Sequence, residues 1–117
     1  MRHRRRTEKL GRTVAHKKSM MSNLLVSLIK SGKIQTTEAK GKALKRYFDQ
    51  VVSLAIKGDN ASLRGVVSEL KDKEAFKILF REIVPRFRER KGGYCRLVKM
   101  GYRQGDAAPV VLVEIVE

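Results

Sequence analysis

Cysteine is almost absent from this chain: Cys95 is the single one among 117 residues. That excludes an intrachain disulfide framework and suits a reducing compartment. Tryptophan is missing, proline occurs twice and aromatic residues make up only 6%. No apolar run approaches the roughly 18 residues that a transmembrane helix needs, and the longest uncharged stretch is residues 19–29. The charged start is not followed by the apolar stretch and small-residue cleavage site of a secretory signal. It is Arg-rich and acid-poor like a transit peptide, but lacks that class's serines.

Catalytic patterns are missing as well. Neither G-x-x-x-x-G-K-[ST] nor G-x-G-x-x-G occurs. His3, His16 and Cys95 have no metal-ligand spacing, which speaks against zinc. A cysteine nucleophile with a histidine base is disfavoured, because His3 lies in an arm with almost no apolar content and Cys95 in an expected strand. The carboxylates of residues 47–84 interleave with Lys and Arg at helical spacing, as on a solvated, salt-bridged face. The expectation is a protein that is not an enzyme and has no cofactor, no metal and no small-molecule substrate.

Acidic residues are the scarcest class relative to their counterpart. Twelve Asp and Glu face 27 Lys and Arg, for a net charge of +15. Self-repulsion of that size destabilises a compact state and calls for a polyanionic partner, nucleic acid before membrane. The charge is also segregated. Residues 1–46 carry fourteen basic and two acidic side chains, and residues 85–105 carry seven and one. Residues 47–84 balance at six of each, and the last twelve hold only Asp106, Glu114 and Glu117. Two basic blocks around a neutral middle form an electrostatic footprint with a non-binding side.

Residues 1–12 form an arm without periodicity, and residues 13–117 form one domain. Thr13 is a plausible cap for a first helix in which Met21, Leu24, Leu25, Leu28 and Ile29 recur at helical spacing up to Gly32. Residues 33–36 suit a short strand. Thr37 is placed to cap a second helix whose apolar face (Ala43, Leu44, Tyr47, Phe48, Val51, Leu54, Ala55) ends at Gly58. A third helix starts at Asn60, with Leu63, Val66, Val67 and Leu70. A fourth starts at Asp72, with Phe76, Leu79, Phe80 and Ile83, and stops at Pro85. Residues 86–93 read as a basic loop. Residues 94–103 and 110–116 then form a hairpin with Cys95 and Leu97 on one face and Val98, Met100 and Tyr102 on the other. Leu24, Leu28, Leu44, Val51, Phe76, Leu79 and Phe80 are expected in the core. The fold class is α+β.

The candidate contacts to nucleic acid follow the charge. Arg2, His3, Arg4, Arg5, Arg6, Lys9 and Arg12 make the arm, in which guanidinium groups suit phosphates and unpaired bases. His16, Lys17 and Lys18 at the start of the first helix oppose its dipole, a cost that a nearby phosphate offsets. Lys40 opens the second helix. Arg86, Arg88 and Arg90 share one side of an extended chain before Gly92 and Gly93, and Lys91 belongs to the same basic loop. Arg96, Lys99 and Arg103 enlarge that patch, and Tyr94 and Tyr102 are candidates for stacking on bases, though equally for the core.

These residues also carry a resemblance. Met1-Arg2-His3-Arg4 with Leu10 and Arg12, then His16-Lys17, Met20 and Asn23, then Ile34, Thr36-Thr37 and Ala39-Lys40, are similar to the bacterial large-subunit ribosomal protein L-seventeen family. The most specific match is Pro85-Arg86-Phe87, Arg90, Gly92-Gly93-Tyr94, Arg96, Lys99, Arg103, Gly105-Asp106 and Ala108-Pro109. The similarity covers nearly the whole chain. It departs at Cys95, where Thr is usual, and at Gly41, where Glu is common. It implies about four helices packed on a small, roughly three-stranded sheet. It further implies a cytoplasmic ribosomal role: binding and stabilising large-subunit ribosomal RNA beside neighbouring ribosomal proteins near the polypeptide exit side, in support of assembly and translation.

Residue chemistry alone reaches a small basic α+β domain for structured RNA or DNA. The rivals are a free nucleic-acid-binding regulator, an RNA-processing enzyme and a membrane-surface binder. The first lacks a basic recognition helix, the second a metal or cofactor site and the third aromatic anchors. If the arm threads between RNA segments, Arg5→Ala alone has little effect while deletion of residues 2–12 impairs stable incorporation into the large subunit. A truncated chain that competes equally with the parent in an assembly assay excludes that role.

Overall fold

Helical periodicity becomes helix almost everywhere the sequence offers it. The computed structural model describes residues 14–116; the arm and the Thr13 cap lie outside them. Helix α1 (Val14–Ser31) turns Met21, Leu25, Leu28 and Ile29 inward and ends at Gly32, whose N–H donates to the Leu28 carbonyl at 2.7 Å. Strand β1 (Lys33–Thr37) runs straight into helix α2 (Glu38–Lys57). Thr37 occupies the expected cap position in extended conformation, but its hydroxyl makes no capping bond. Gly58 closes α2 in the left-handed conformation as expected.

Helices α3 (Asn60–Leu70) and α4 (Lys73–Ile78) are capped by Asp59 and Asp72, which accept from the Ser62 and Ala75 amides at 2.8 and 2.9 Å. Asp72 also pairs with Lys30 at 3.3 Å, tying the end of α1 to the start of α4. The Ala75 amide is the main reason its carboxyl lies below the ordinary range, and Lys30 adds to it.

Two expectations about this half need correction. The fourth helix does not stop at Pro85. It widens into a π-helical turn (Leu79–Ile83) and resumes as α5 (Val84–Phe87) with Pro85 in its first turn. The first turn needs no proline N–H, and the wider turn relieves the ring's clash with the preceding carbonyls. Val67 does not belong to the buried face of α3, being 54% exposed.

Strands β2 (Cys95–Tyr102) and β3 (Pro109–Ile115) form the expected hairpin, and β1 adds on the other side of β3. The sheet is antiparallel in the order β1-β3-β2. Its rungs include Lys33, Glu114 and Arg96 at one end, and Thr37, Val110 and Gly101 at the other. Val111, Val113 and Ile115 are buried on the face that α2 covers, with Cys95 beside them. The opposite face carries Lys33, Gln35, Arg96 and Val98, all exposed. Of the expected core, Leu28, Leu44, Val51 and Leu79 are fully buried. Leu24, Phe76 and Phe80 pack half-buried around it, with the two phenylalanine rings 4.6 Å apart.

Where α2 crosses the sheet, the helix residue is Gly41. A Cβ there would stand 2.5 Å from Val111 Cγ2 and 3.2 Å from Leu97 Cδ2. A valine methyl on a stiff, β-branched side chain cannot swing away cheaply. The glycine therefore costs helix propensity but permits contact between backbone and sheet. Alanine is the better helix former by up to about 1 kcal/mol, whereas overpacking costs about 1–3 kcal/mol. Gly41→Ala is expected to lower stability by about 1 kcal/mol or more in urea unfolding of the purified chain. Stability at or above that of the parent would show that the sheet retreats freely.

Candidate nucleic-acid interface

Strand β2 lies at an edge of the sheet. Its eight residues span about 26 Å at the usual rise. The turn of residues 88–94 enters at one end, and the loop of residues 103–108 leaves at the other. Lys91, Arg96, Lys99 and Arg103 are thus strung along one edge of the molecule, all exposed. Lys40, from the first turn of α2, reaches the same end as Arg103, and both line one cavity with Thr36, Tyr102 and Gln104. Two basic blocks far apart in sequence meet there.

A β-bulge shapes this end. Lys99 stands opposite Val111 and Gly101 opposite Val110, so Met100 is the extra residue. Gly101 has φ +107°, a left-handed value that favours glycine. Such a bulge bends the strand and increases its twist. The loop beyond it is closed by the Arg103 amide to the Ala108 carbonyl at 2.8 Å and the Ala107 amide to the Arg103 carbonyl at 3.0 Å. The Arg103 guanidinium grips Asp106 with two hydrogen bonds, of 3.1 and 2.6 Å. That grip, helped by the Ala108 amide, holds the Asp106 carboxyl down to about 2 and raises Arg103.

The other end is braced differently. Tyr94 is buried, its ring 5.2 Å from that of Phe87 and its hydroxyl donating to the Arg90 carbonyl at 3.1 Å. Its amide donates to Asp49 Oδ1 at 3.1 Å, while Lys45 pairs with the other oxygen of that carboxylate at 3.3 Å. Asp49 is a positioning residue that sequence reading missed. Its i,i+4 spacing from Lys45 was the visible signal, and its reach to residue 94 was not.

Several expected contacts take different places. Tyr94 does not stack on bases; the core claims its ring. Arg86, Arg88 and Arg90 do not share one side of an extended chain, because α5 carries through Phe87 and the chain then turns. Arg86 instead donates to the Val116 carbonyl at 3.1 Å and lies 5.6 Å over the Phe87 ring. Arg90 donates from Nε to the Gly92 carbonyl at 3.2 Å. Arg96 pairs with Glu114 at 2.9 Å. Among the described residues no carboxylate pairs with Lys40, Arg88, Lys91 or Lys99.

His16 and Lys18 are exposed and Lys17 half-buried. They stand at the far end of α1 from Arg86, which shares a cavity with Ser31 and Gly32 at its close. The arm residues Arg2, His3, Arg4, Arg5, Arg6, Lys9 and Arg12 lie outside the described residues.

Nothing in this surface resembles a reaction centre. Cys95 is 2% exposed, and burial, with the Asp49 charge adding, pushes its thiol up to about 12. It is an inert core thiol at neutral pH. Among the described residues no three His, Cys, Asp or Glu gather as metal ligands, and no helix is long and apolar enough to cross a membrane.

The model of one family, ribosomal protein L17, matches residues 20–116. The chain belongs to the ribosomal protein L17 family. It is 46% identical over 108 residues to the large ribosomal subunit protein bL17 of Moorella thermoacetica, covering 92% of this chain and 96% of that one. The bL17 protein of Campylobacter concisus is 43% identical, with 99% and 98% covered. That of Desulfosudis oleivorans is 49% identical over 116 residues, of which this chain spans 56% of the relative's length. The Arg103, Gly105-Asp106 and Ala108-Pro109 positions that carried the L17 resemblance are those that close the hairpin tip.

A lowered folded-state pKa stabilises the tip above the ordinary aspartate value of 3.8, and the effect is lost as pH falls through about 2. In an NMR titration of the side-chain carboxyl, Asp106 is expected to have its midpoint near 2. In Arg103→Ala the midpoint should move up toward the ordinary value. An unmoved midpoint would show that the two groups are not paired in solution.

Proposed function

We propose that this protein is a structural constituent of the large ribosomal subunit that binds and stabilises large-subunit ribosomal RNA. It acts in the cytoplasmic ribosome and supports subunit assembly and translation as a scaffold, not an enzyme. Its partners are that RNA and neighbouring ribosomal proteins near the polypeptide exit side. The observation that carries the reading is the basic edge of β2, running from Lys91 to Arg103 and joined at its end by Lys40, in an L17-family chain. That edge tracks phosphates, while the start of α1 and the arm (residues 2–12) hold a second RNA surface. Between them the protein clamps RNA segments whose phosphates otherwise repel. Affinity is mainly electrostatic, and discrimination comes from RNA shape.

Lys91, Lys99 and Arg88 carry charges without a carboxylate partner among the described residues, so each releases counterions when it meets a phosphate. Each such contact contributes about 0.7–0.9 to the slope of log affinity against log salt. Replacing all three with alanine is expected to reduce that slope by about 2, measured by filter binding to large-subunit ribosomal RNA. Arg96→Ala, which also frees Glu114, serves as the comparison. In a sucrose gradient of lysate, the chain should stay with the large subunit after a high-salt wash. Migration at the top of the gradient, or with nucleoid DNA, would overturn the ribosomal reading in favour of a free regulator.

A further inference from the structure

We propose that the cavity at the hairpin-tip end of the sheet captures one unpaired RNA nucleotide, stacked on Tyr102 with its phosphate on Lys40. The inference rests on the RNA-binding reading above and goes beyond it, since a clamp that reads shape needs no pocket for a base.

Among the described residues four large apolar side chains are exposed, and three of them (Val98, Met100 and Tyr102) lie on β2. Tyr102 is the extreme case at 76%. It has no ring partner among the described residues, whose ring pairs are Phe76–Phe80 and Phe87–Tyr94. The fold does not use this aromatic surface. It stands at the wall of a cavity of about 490 Å³ that opens between β1 and β2, with Val110 of the central strand among its lining. That volume falls within the range of pockets for small ligands. A nucleotide presents an aromatic face, polar base edges and a single anionic group. The lining residues include the matching set: an aromatic in Tyr102, a hydroxyl and an amide in Thr36 and Gln104, and a cation in Lys40.

Charge separates a nucleotide from an apolar protein side chain as the occupant. Lys40 has no carboxylate partner among the described residues, so the pocket presents an uncompensated cation beside its aromatic wall. Arg103 also lines the cavity, but its guanidinium is committed to Asp106 and acts as the brace. That brace, the two loop-closing backbone bonds and the bulge at Met100 hold the tip in place before any ligand arrives. Stacking on a platform ordered in advance costs little entropy.

The chain has no tryptophan, so Tyr102→Trp installs its only indole at the platform, excited selectively over the remaining tyrosines. The probes are an RNA hairpin with one bulged nucleotide and the same hairpin fully paired, compared at fixed salt. The bulged RNA is expected to quench the indole fluorescence of that variant and to bind more tightly. Tyr102→Ala should lose about 5- to 150-fold in affinity for it, the range of one base–aromatic stack, with little change for the paired RNA. Tyr102→Phe, which keeps the ring, should retain the preference. Tyr102 is exposed, so these changes leave the core intact.

Equal binding of both RNAs, unchanged in Tyr102→Ala, would overturn the nucleotide pocket while sparing the clamp. Binding of neither RNA would overturn the clamp and the pocket together. Wild-type RNA binding by Tyr102→Ala, with weakened incorporation into the subunit, would overturn the pocket in favour of a docking point for a neighbouring protein.

Discussion

The contact of α2 with β3 at Gly41 sets the geometry of everything else. β3 is the strand paired on both edges, and α2 lies against it where no side chain fits. Close approach lets Val111, Val113 and Leu97 pack directly on the helix. It also makes α2 a ruler for the interface. Lys40, one residue before the contact, is delivered to the hairpin tip; Asp49, about 13 Å further along the axis, is delivered to the amide of Tyr94. The two ends of the basic edge are thus referenced to one rigid element, although their residues come from different parts of the chain. A looser contact would let the ends shift relative to each other, and the proposed tracking of phosphates depends on their spacing.

Much of the fold was legible because its periodicities are local. Helix starts at Asn60 and after Asp72, the left-handed close at Gly58 and the hairpin between residues 94–103 and 110–116 each follow from a few neighbouring residues. What was not legible depends on partners distant in sequence. Pro85 announces a helix stop, yet a π turn before it absorbs the steric conflict. Val67 fits the apolar stripe of α3, but the stripe is wider than the surface available to bury it. Gly41 reads as a weak helix position until Val111 is seen beneath it.

The candidate site divides along the same line. Charge segregation located the basic edge, since residues 85–105 are dense in cations whatever their conformation. Sequence did not show which cations are already spoken for. Arg96 and Glu114 meet across a sheet rung set by register, and Arg103 meets Asp106 only because the loop closes between them. Tyr94 and Tyr102 looked alike as aromatic candidates. Burial separates them: one ring locks the turn against Phe87, and the other is left in solvent.

The electrostatics therefore differ from what a charge of +15 suggests. Arg96 and Arg103 give much of their local field to carboxylates, and Arg86 and Arg90 give donors to backbone carbonyls, so their first effect is on shape. An exposed ion pair is worth little, and an arginine can exchange its carboxylate for a phosphate at small cost. Such exchange leaves a carboxylate beside the RNA and weakens the net gain. Lysines without carboxylate partners carry the long-range attraction at full strength. On the proposed RNA-binding reading a division of labour follows, in which Arg86, Arg90, Arg96 and Arg103 hold the tip and the turn in register while Arg88 and the lysines without carboxylate partners among the described residues supply the pull on the phosphates. Exchanging Lys for Arg along this edge preserves net charge but not that division, because a planar guanidinium competes for the carboxylates that the braces need.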